Sequence, residues 1–510
     1  MKITLGRIFN LNSKKYTYLL VRSSNNVLYI NECYHSTTTP RNNGTHYTRR
    51  YLNIGGKASS TLLLSPAEAT RILRTNESTV DIEAKSSIKY YDNNYLGANN
   101  PPEDRYAQAK FLHSDIYLFG VFDGHGGYQC SDTITQRLYD YIGLNFLTTK
   151  QLEDKLKWNT SSSDPSKNGY PLWKAFSSPY GDFRSEKLKE IHKASLNLYA
   201  DELLRERIME ESIGNEIEFN IEKILKQAFL KLDQDIKVEA MPNPANGKLL
   251  DKETMSVAMS GSCACVALLN GKNLYVANCG DARAVMGQEN DDGTYTPYQM
   301  SREHNAENEE EVKRLFRDHP NEHTTLIRDG RLLEMLLPFR AFGDVRFKWG
   351  AKILKEYTVP LYGHGVVPPH YLTPPYLSAE PEIIHKRLNY KDKFLVLATD
   401  GLWDLLTPER VIQLIGNHLN GQQSYDPYLL PEDKPIKLRE VFEDLTKRRV
   451  SISLQPVDHN SATHLIRYAL GNDHIQLSNY LRADTPRTIR DDITITVVYF
   501  DTDHIIGLHE

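Results

Sequence analysis

Asp123 follows the apolar run Ile116–Phe122 and opens Asp123-Gly-His-Gly-Gly127; Gly280-Asp281 follows Asn273–Cys279; Asp400, four residues ahead of Asp404, follows Lys393–Thr399; and Asp491-Asp492 lies directly before Ile493–Phe500. A single Asp at the end of a strand is ordinarily a turn former or a helix cap. Four such ends, three of them with a neighbouring glycine, ask for another reason. Glycine lets a backbone carbonyl approach a ligand, and carboxylates, carbonyls and water are the donors that Mg²⁺ or Mn²⁺ prefers. Carboxylates gathered in one place repel one another, and a cation is what holds them together. The pattern predicts a divalent-metal site, provided that the strand ends meet in space.

The runs that carry these acids are strand-sized, and Gly271-Lys272 joins two strands as a tight hairpin. Helices are expected where Ser65 caps a turn with Pro66 at its first position and Glu68 in its first turn, over 131–146 (Ile134, Leu138, Tyr141, Ile142), and over 215–236, where Ile217, Ile221, Ile224, Leu225, Ala228, Leu232 and Ile236 share a face. Strands with hairpins plus long amphipathic helices argue for an α+β fold, with sheets packed on each other and helices outside. Residues 150–212 and 420–460 read as insertions on one domain, the first polar and irregular with later Lys/Glu-rich helical runs, and no repeat is found.

Composition narrows the function classes. The 61 basic and 66 acidic residues give a net charge of −5, which argues against a generally basic nucleic-acid binder. Five cysteines in 510 residues are not a disulfide scaffold and fit a reducing compartment; Cys263 and Cys265, on one strand face, read as small core residues. No apolar stretch is long enough for a membrane-spanning helix. Arg340, Arg346 and Lys348, interleaved with Phe347 and Trp349, could cradle nucleic acid, but the segment stands alone, and a docking edge or a plain surface strand fits it better. Gly55-Gly56-Lys57 lacks the spacing of a phosphate loop. His113, His304 and His319, in polar stretches, read as solvated.

Residues 1–57 differ from the rest. They carry nine Lys or Arg and one acid, Glu32, in a background of Ser, Thr, Asn and Tyr. That is the composition of a mitochondrial presequence, and Ile3, Arg7, Ile8 and Leu11 would place apolar and basic faces apart on a helix. A disordered tail is the alternative. Residues 58–505 read as one catalytic domain.

Asp123-Gly-His-Gly-Gly127, Ser260-Gly-Ser-Cys-Ala264, Val276-Ala-Asn-Cys-Gly-Asp-Ala-Arg283, Arg340-Ala-Phe-Gly-Asp344, Ala398-Thr-Asp-Gly-Leu-Trp-Asp404 and Arg490-Asp-Asp-Ile-Thr494 occur in one order over residues 103–500. Together they resemble the metal-dependent protein phosphatases of type 2C. Ala98–Arg105, Leu336–Trp349, Tyr371–Pro381 and Ala462–Arg467 resemble the branch of that family that acts on the pyruvate dehydrogenase complex. The resemblance implies an antiparallel β-sandwich flanked by helices, with a dinuclear metal cleft at one end. It implies serine/threonine phosphatase activity through direct attack of a metal-bound water, in the mitochondrial matrix. The implied substrate is the phosphorylated α-subunit of pyruvate dehydrogenase, and the implied partner the lipoyl domain of dihydrolipoyl acetyltransferase.

By the same resemblance Asp123 would bridge two Mg²⁺ or Mn²⁺ ions, the Gly124 carbonyl would complete one, and Asp400 and Asp491 would bind the other. Glu103 and Asp104 would hold waters or support the ligands, and Asp281 and Asp404, with Asp400, match a third, weaker position. His125 resembles the general acid; a histidine that merely orients Asp123 is the alternative. Asp492 would play a supporting role. One departure stands out: where many members have an Arg that grips substrate phosphate, this chain has Asn99, whose amide lacks the charged fork. Asn99 and Arg105 are the phosphate-binding candidates. Two rivals remain: the same chemistry on another mitochondrial phosphoprotein, and an inactive scaffold, against which the full set of acids argues.

Overall fold

The computed structural model describes residues 63–507 except 83–84, 162–170, 177–183, 215–218, 243–249, 424–436, 453–456 and 472, and five short strands within 3–29. Contacts divide the chain into two units, Met1–Leu62 and Leu63–Glu510. In the first, Ile3–Leu5 is a strand paired antiparallel with residues of Leu19–Ser23, which also pairs with Asn26–Tyr29. The helical spacing at Ile3 therefore gives way to strand pairing there; Arg7 and Ile8 lie outside the described residues.

The second unit is built on two six-stranded antiparallel sheets. The first runs Trp173–Ala175, Arg105–Phe111, Ile116–Phe122, Ala264–Asn270, Asn273–Cys279 and Glu382–Arg387 in spatial order. The second runs Tyr295–Gln299, Arg283–Glu289, Asp392–Ala398, Ile493–Phe500, Ile88–Leu96 and Ser78–Asp81. Side chains alternate across each strand. Tyr117, Phe119 and Val121 enter the layer between the sheets, where they join Cys265, Leu397 and Val498. Ile116, Leu118 and Phe122 of the same strand point the other way, onto helices Gln129–Leu144 and Ile221–Glu239. Because both faces are covered, the strand reads as a continuous apolar run rather than an alternating one. The second sheet is covered by helices Pro66–Leu73, Pro408–Gln423 and Ser461–Leu470. The result is an α+β sandwich of four layers, helix, sheet, sheet, helix.

Helix starts follow local chemistry. Ser65 and Glu68 form a reciprocal capping box. The helix expected from Ile217 begins instead at Ile221, because Asn220 accepts from the Lys223 N–H and caps it there; Ile217 lies outside the described residues.

Three expectations need correction. The described part of 150–212 carries the expected later helical run but does not lie wholly on the surface: helices Thr149–Ser161 and Glu186–Ser212 bury Leu152, Tyr199, Ala200 and Leu203 in the first helical layer. The basic-aromatic segment is interior, since Phe347 and Trp349 are buried, Lys348 reaches Asp233 at 2.6 Å, and Arg340 forks onto Glu311 at 2.7 and 2.8 Å. Polar sequence around His304 and His319 concealed their burial, which loop packing rather than periodicity brings about. Among the described residues no helix is long and apolar enough to cross a membrane.

Candidate active site

Strands of both sheets deliver their terminal acids to one end of the sandwich. The Asp400 N–H donates to Asp123 Oδ2 at 3.3 Å, joining residues 277 apart in sequence. The Asp123 carbonyl accepts from the Cys263 N–H at 2.8 Å, and the Cys263 thiol donates to Asp281 Oδ1 at 3.1 Å. Cys263 is thus more than filler: it ties the Asp281 turn to the Asp123 turn. Gly124 leaves no room for a side chain, as a Cβ there would overlap the Glu103 carbonyl and the Ser131 hydroxyl.

The acids act on each other. Burial pushes the carboxyl of Asp123 well above the usual carboxylate range, and Asp104, Asp281 and Asp491 push it further. Asp400 is raised in the same way by burial and then by Asp123, Asp281, Asp491 and Asp404. Asp104 is raised by burial and Asp492, against hydrogen bonds from Thr399 and Thr494. Burial also raises Asp281 and Glu103. Such a set is costly unless a cation balances it. Its donors are oxygens, which suits a hard divalent ion. Among the described residues no three His, Cys, Asp or Glu side chains form a ready-made metal cage; a hydrated ion of this type needs only one or two carboxylates directly.

The loop that carries Glu103 and Asp104 hangs from Asp492. Oδ1 of Asp492 accepts from the Ala98 and Asn99 backbone N–H groups, and Oδ2 from Glu103 N–H at 2.7 Å, Asp104 N–H at 3.4 Å and the Asn99 side-chain amide at 3.2 Å. Asp492 is therefore a positioning residue for the whole 98–104 turn. One N–H of the half-buried Asn99 side-chain amide is engaged by Asp492, and the second is left for the cleft. The reading of Arg105 as a phosphate ligand is corrected. That residue is buried, with Nε on Asp132 at 3.1 Å and Nη1 on the carbonyls of Pro102 and Asp104 at 2.8 and 2.7 Å.

A small three-stranded sheet, Gly124–His125, Gly261–Ser262 and Phe342–Gly343, sets the histidine. Nε2 of His125 stands 2.5 Å from Oδ2 of Asp344. A Cβ on Gly261 would overlap both atoms, so glycine at 261 is what admits the pair. Burial alone would lower the His125 pKa, but Asp344, then Asp281 and Glu103, outweigh it and hold it raised. Asp344 has φ 50°, in the left-handed region, and its N–H donates to the Ser260 carbonyl at 3.0 Å. Sequence reading passed over Asp344 as a site residue although it closes one of the six motifs. Arg487 was passed over as well; it pairs with Asp491 at the rim of the cleft.

A family model described as Protein phosphatase 2C matches residues 174–430. The chain is 37% identical over 500 residues to pyruvate dehydrogenase (acetyl-transferring)-phosphatase 1, mitochondrial, of Pongo abelii, covering 92% of this chain and 89% of that one. It is 36% identical to the Homo sapiens protein of the same name, with the same coverage of both chains. To the Homo sapiens phosphatase 2 of that name it is 36% identical over 464 residues, 87% of this chain and 85% of the other.

Proposed function

The chain belongs to the protein phosphatase 2C family, and from that premise we propose that it dephosphorylates the α-subunit of pyruvate dehydrogenase in the mitochondrial matrix, returning that complex to its active form. It is a metal-dependent protein serine/threonine phosphatase of the kind that uses Mg²⁺ or Mn²⁺. The substrate rests on the names of relatives matched along nearly the whole chain. The basic, acid-poor first 57 residues support import into mitochondria. A lipoyl domain of dihydrolipoyl acetyltransferase is the docking partner that accompanies this substrate.

The observation that carries the chemistry is the buried set of carboxylates at one end of the sandwich, raised by burial and by one another. Asp123, the Gly124 carbonyl, Asp400 and Asp491 would hold two ions. Glu103 and Asp104 would hold their waters, and Asp281 and Asp404, with Asp400, would hold a third, weaker one. Ions so placed supply acidification of an attacking water and neutralisation of the phosphate oxygens. Asp492 keeps Glu103 and Asp104 in register with Asp123. His125 provides the proton for the departing serine oxygen. With Nε2 committed to Asp344, Nδ1 is the nitrogen left to deliver it, and the carboxylate beside it favours the protonated ring.

Phosphate release from phosphorylated pyruvate dehydrogenase tests this, measured with Mg²⁺, with Mn²⁺ and with chelator, beside an unrelated phosphoserine protein. Fast, chelator-sensitive release from the dehydrogenase alone is expected. Equal release from both proteins would point to another mitochondrial phosphoprotein as substrate. Absence of release from either would leave a binding scaffold.

A further inference from the structure

With Asn99 uncharged and Arg105 buried on Asp132, neither supplies the exposed cation expected to hold a phosphate dianion beside the metals. The other arginines around the cleft are committed as well. Arg490 gives Nη1 to the carbonyls of Leu96 and Asp491 and Nη2 to that of Gly97, and Arg283 lies on Glu303. Arg487 differs. Its side chain remains 51% exposed, and its ion pair is with Asp491, itself a candidate metal ligand. It stands on the single 3-10 turn Pro486–Thr488, which is pinned by the Ile489 and Arg490 N–H groups donating to the Pro486 carbonyl, each at 3.0 Å. Asp400 and Glu103 also act on its charge.

We propose that Arg487 grips the phosphate of the substrate, taking the part that an arginine in place of Asn99 would play. The proposal rests on the phosphatase reading above. An ion on Asp491 would neutralise much of the charge that holds Arg487. It would therefore loosen the hold on a guanidinium that is already half-exposed. The loosened group presents coplanar N–H donors in a fork that matches two phosphate oxygens. Arg487 is thus a latch: closed on Asp491 while the acids need a counter-charge, and open to phosphate once they have one.

The test uses the full chain, with Arg487→Ala and Arg487→Lys beside wild type, and inorganic phosphate and Mg²⁺ as calorimetric probes. Arg487→Ala should weaken phosphate binding in the presence of Mg²⁺ by about 10- to 100-fold. It should raise KM for a phosphoserine peptide more than it lowers kcat. Mg²⁺ affinity without phosphate should stay the same or tighten, since a competing cation is gone. Arg487→Lys should recover only part of the phosphate affinity, because an ammonium keeps the charge and loses the fork. Phosphate affinity within twofold of wild type in Arg487→Ala would overturn the proposal. So would Mg²⁺ and phosphate affinities that fall together, which would make Arg487 a mere support for Asp491. Failure of the phosphatase reading shows separately, as no peptide hydrolysis by wild type, while the phosphate titrations still decide on the arginine.

Discussion

Two of the buried charge clusters in this sandwich are built in opposite ways. Around Glu311, Arg340 forks onto both carboxylate oxygens at 2.8 and 2.7 Å and Arg314 adds a contact at 2.6 Å; nearby, Lys348 stands 2.6 Å from Asp233. At the cleft, Asp104, Asp123, Asp281 and Asp400 face one another, and the arginine that answers them sits at the rim. Burial tends to raise Glu311, yet Arg340 and Arg314 outweigh it and hold the carboxyl at about 2. At the cleft, burial and neighbours add, and the carboxyls stand far above the usual range. The first cluster is completed within the chain and serves the fold. The second is left for a ligand to complete, and strain of that kind marks functional sites.

Removing an acid should therefore have opposite consequences in the two places. Asp400→Asn should lower metal-dependent phosphate release about a thousandfold, as expected when several kcal/mol of charge stabilisation is lost. The metal-free variant should melt at the wild-type temperature or above it, because a repulsion has gone. Full activity, or a large fall in melting temperature without metal, would move Asp400 to the structural cluster.

Glu311→Ala should do the reverse. It strands two arginines and should cost about 3–5 kcal/mol in urea unfolding, with turnover per folded molecule kept. A loss of turnover at intact stability would mean that the Glu311 cluster reaches the chemistry.

Asp344→Asn sharpens the comparison, because Asp344 is a buried acid whose partner is a site residue. We expect kcat to fall about 100-fold with KM little changed, and the pH dependence of kcat to shift with it. If only stability changed, the contact with His125 would be structural.

Acid gives the smallest effect. The Glu311 contribution to stability is complete above its ordinary value of 4.5 and is lost as pH falls towards 2. His464 is held down to about 3, from an ordinary 6.5, by burial and then by His418, Arg467 and Arg410. The unfolded chain takes up that proton first, so this residue costs stability as pH falls below 6.5 and stops adding to the cost near 3. Between pH 7 and 5.5 the loss amounts to about 1 kcal/mol. Urea unfolding of His464→Gln at the two pH values should show that loss removed; the wild-type difference in the variant would clear His464.

Much of this was legible in one dimension. The runs before Asp123, Asp281 and Asp400 and after Asp492 are strands that are mostly buried on both faces, which makes them largely apolar and β-branched. The Ser65 cap and the Gly271 hairpin are local devices, and they formed where local chemistry put them. The helix over Gln129–Leu144 followed from period alone. The site acids were legible for the same reason, since each is tied to the end of an element that its own neighbours specify.

What the amino-acid order determined by itself was thus the elements, the acids at their ends and, through six ordered motifs, the family. Partnership was decided by tertiary structure. Asp492 meets Asn99 across 393 residues, His125 meets Asp344 across 219, and Thr399 meets Asp104 across 295. Arg105 looks available in sequence, yet packing spends it inside, and Arg487, four residues before the candidate ligand Asp491, is left half-exposed. A residue type states which hydrogen bonds and charges a side chain can offer; which partner accepts them depends on what folding brings within about 3 Å.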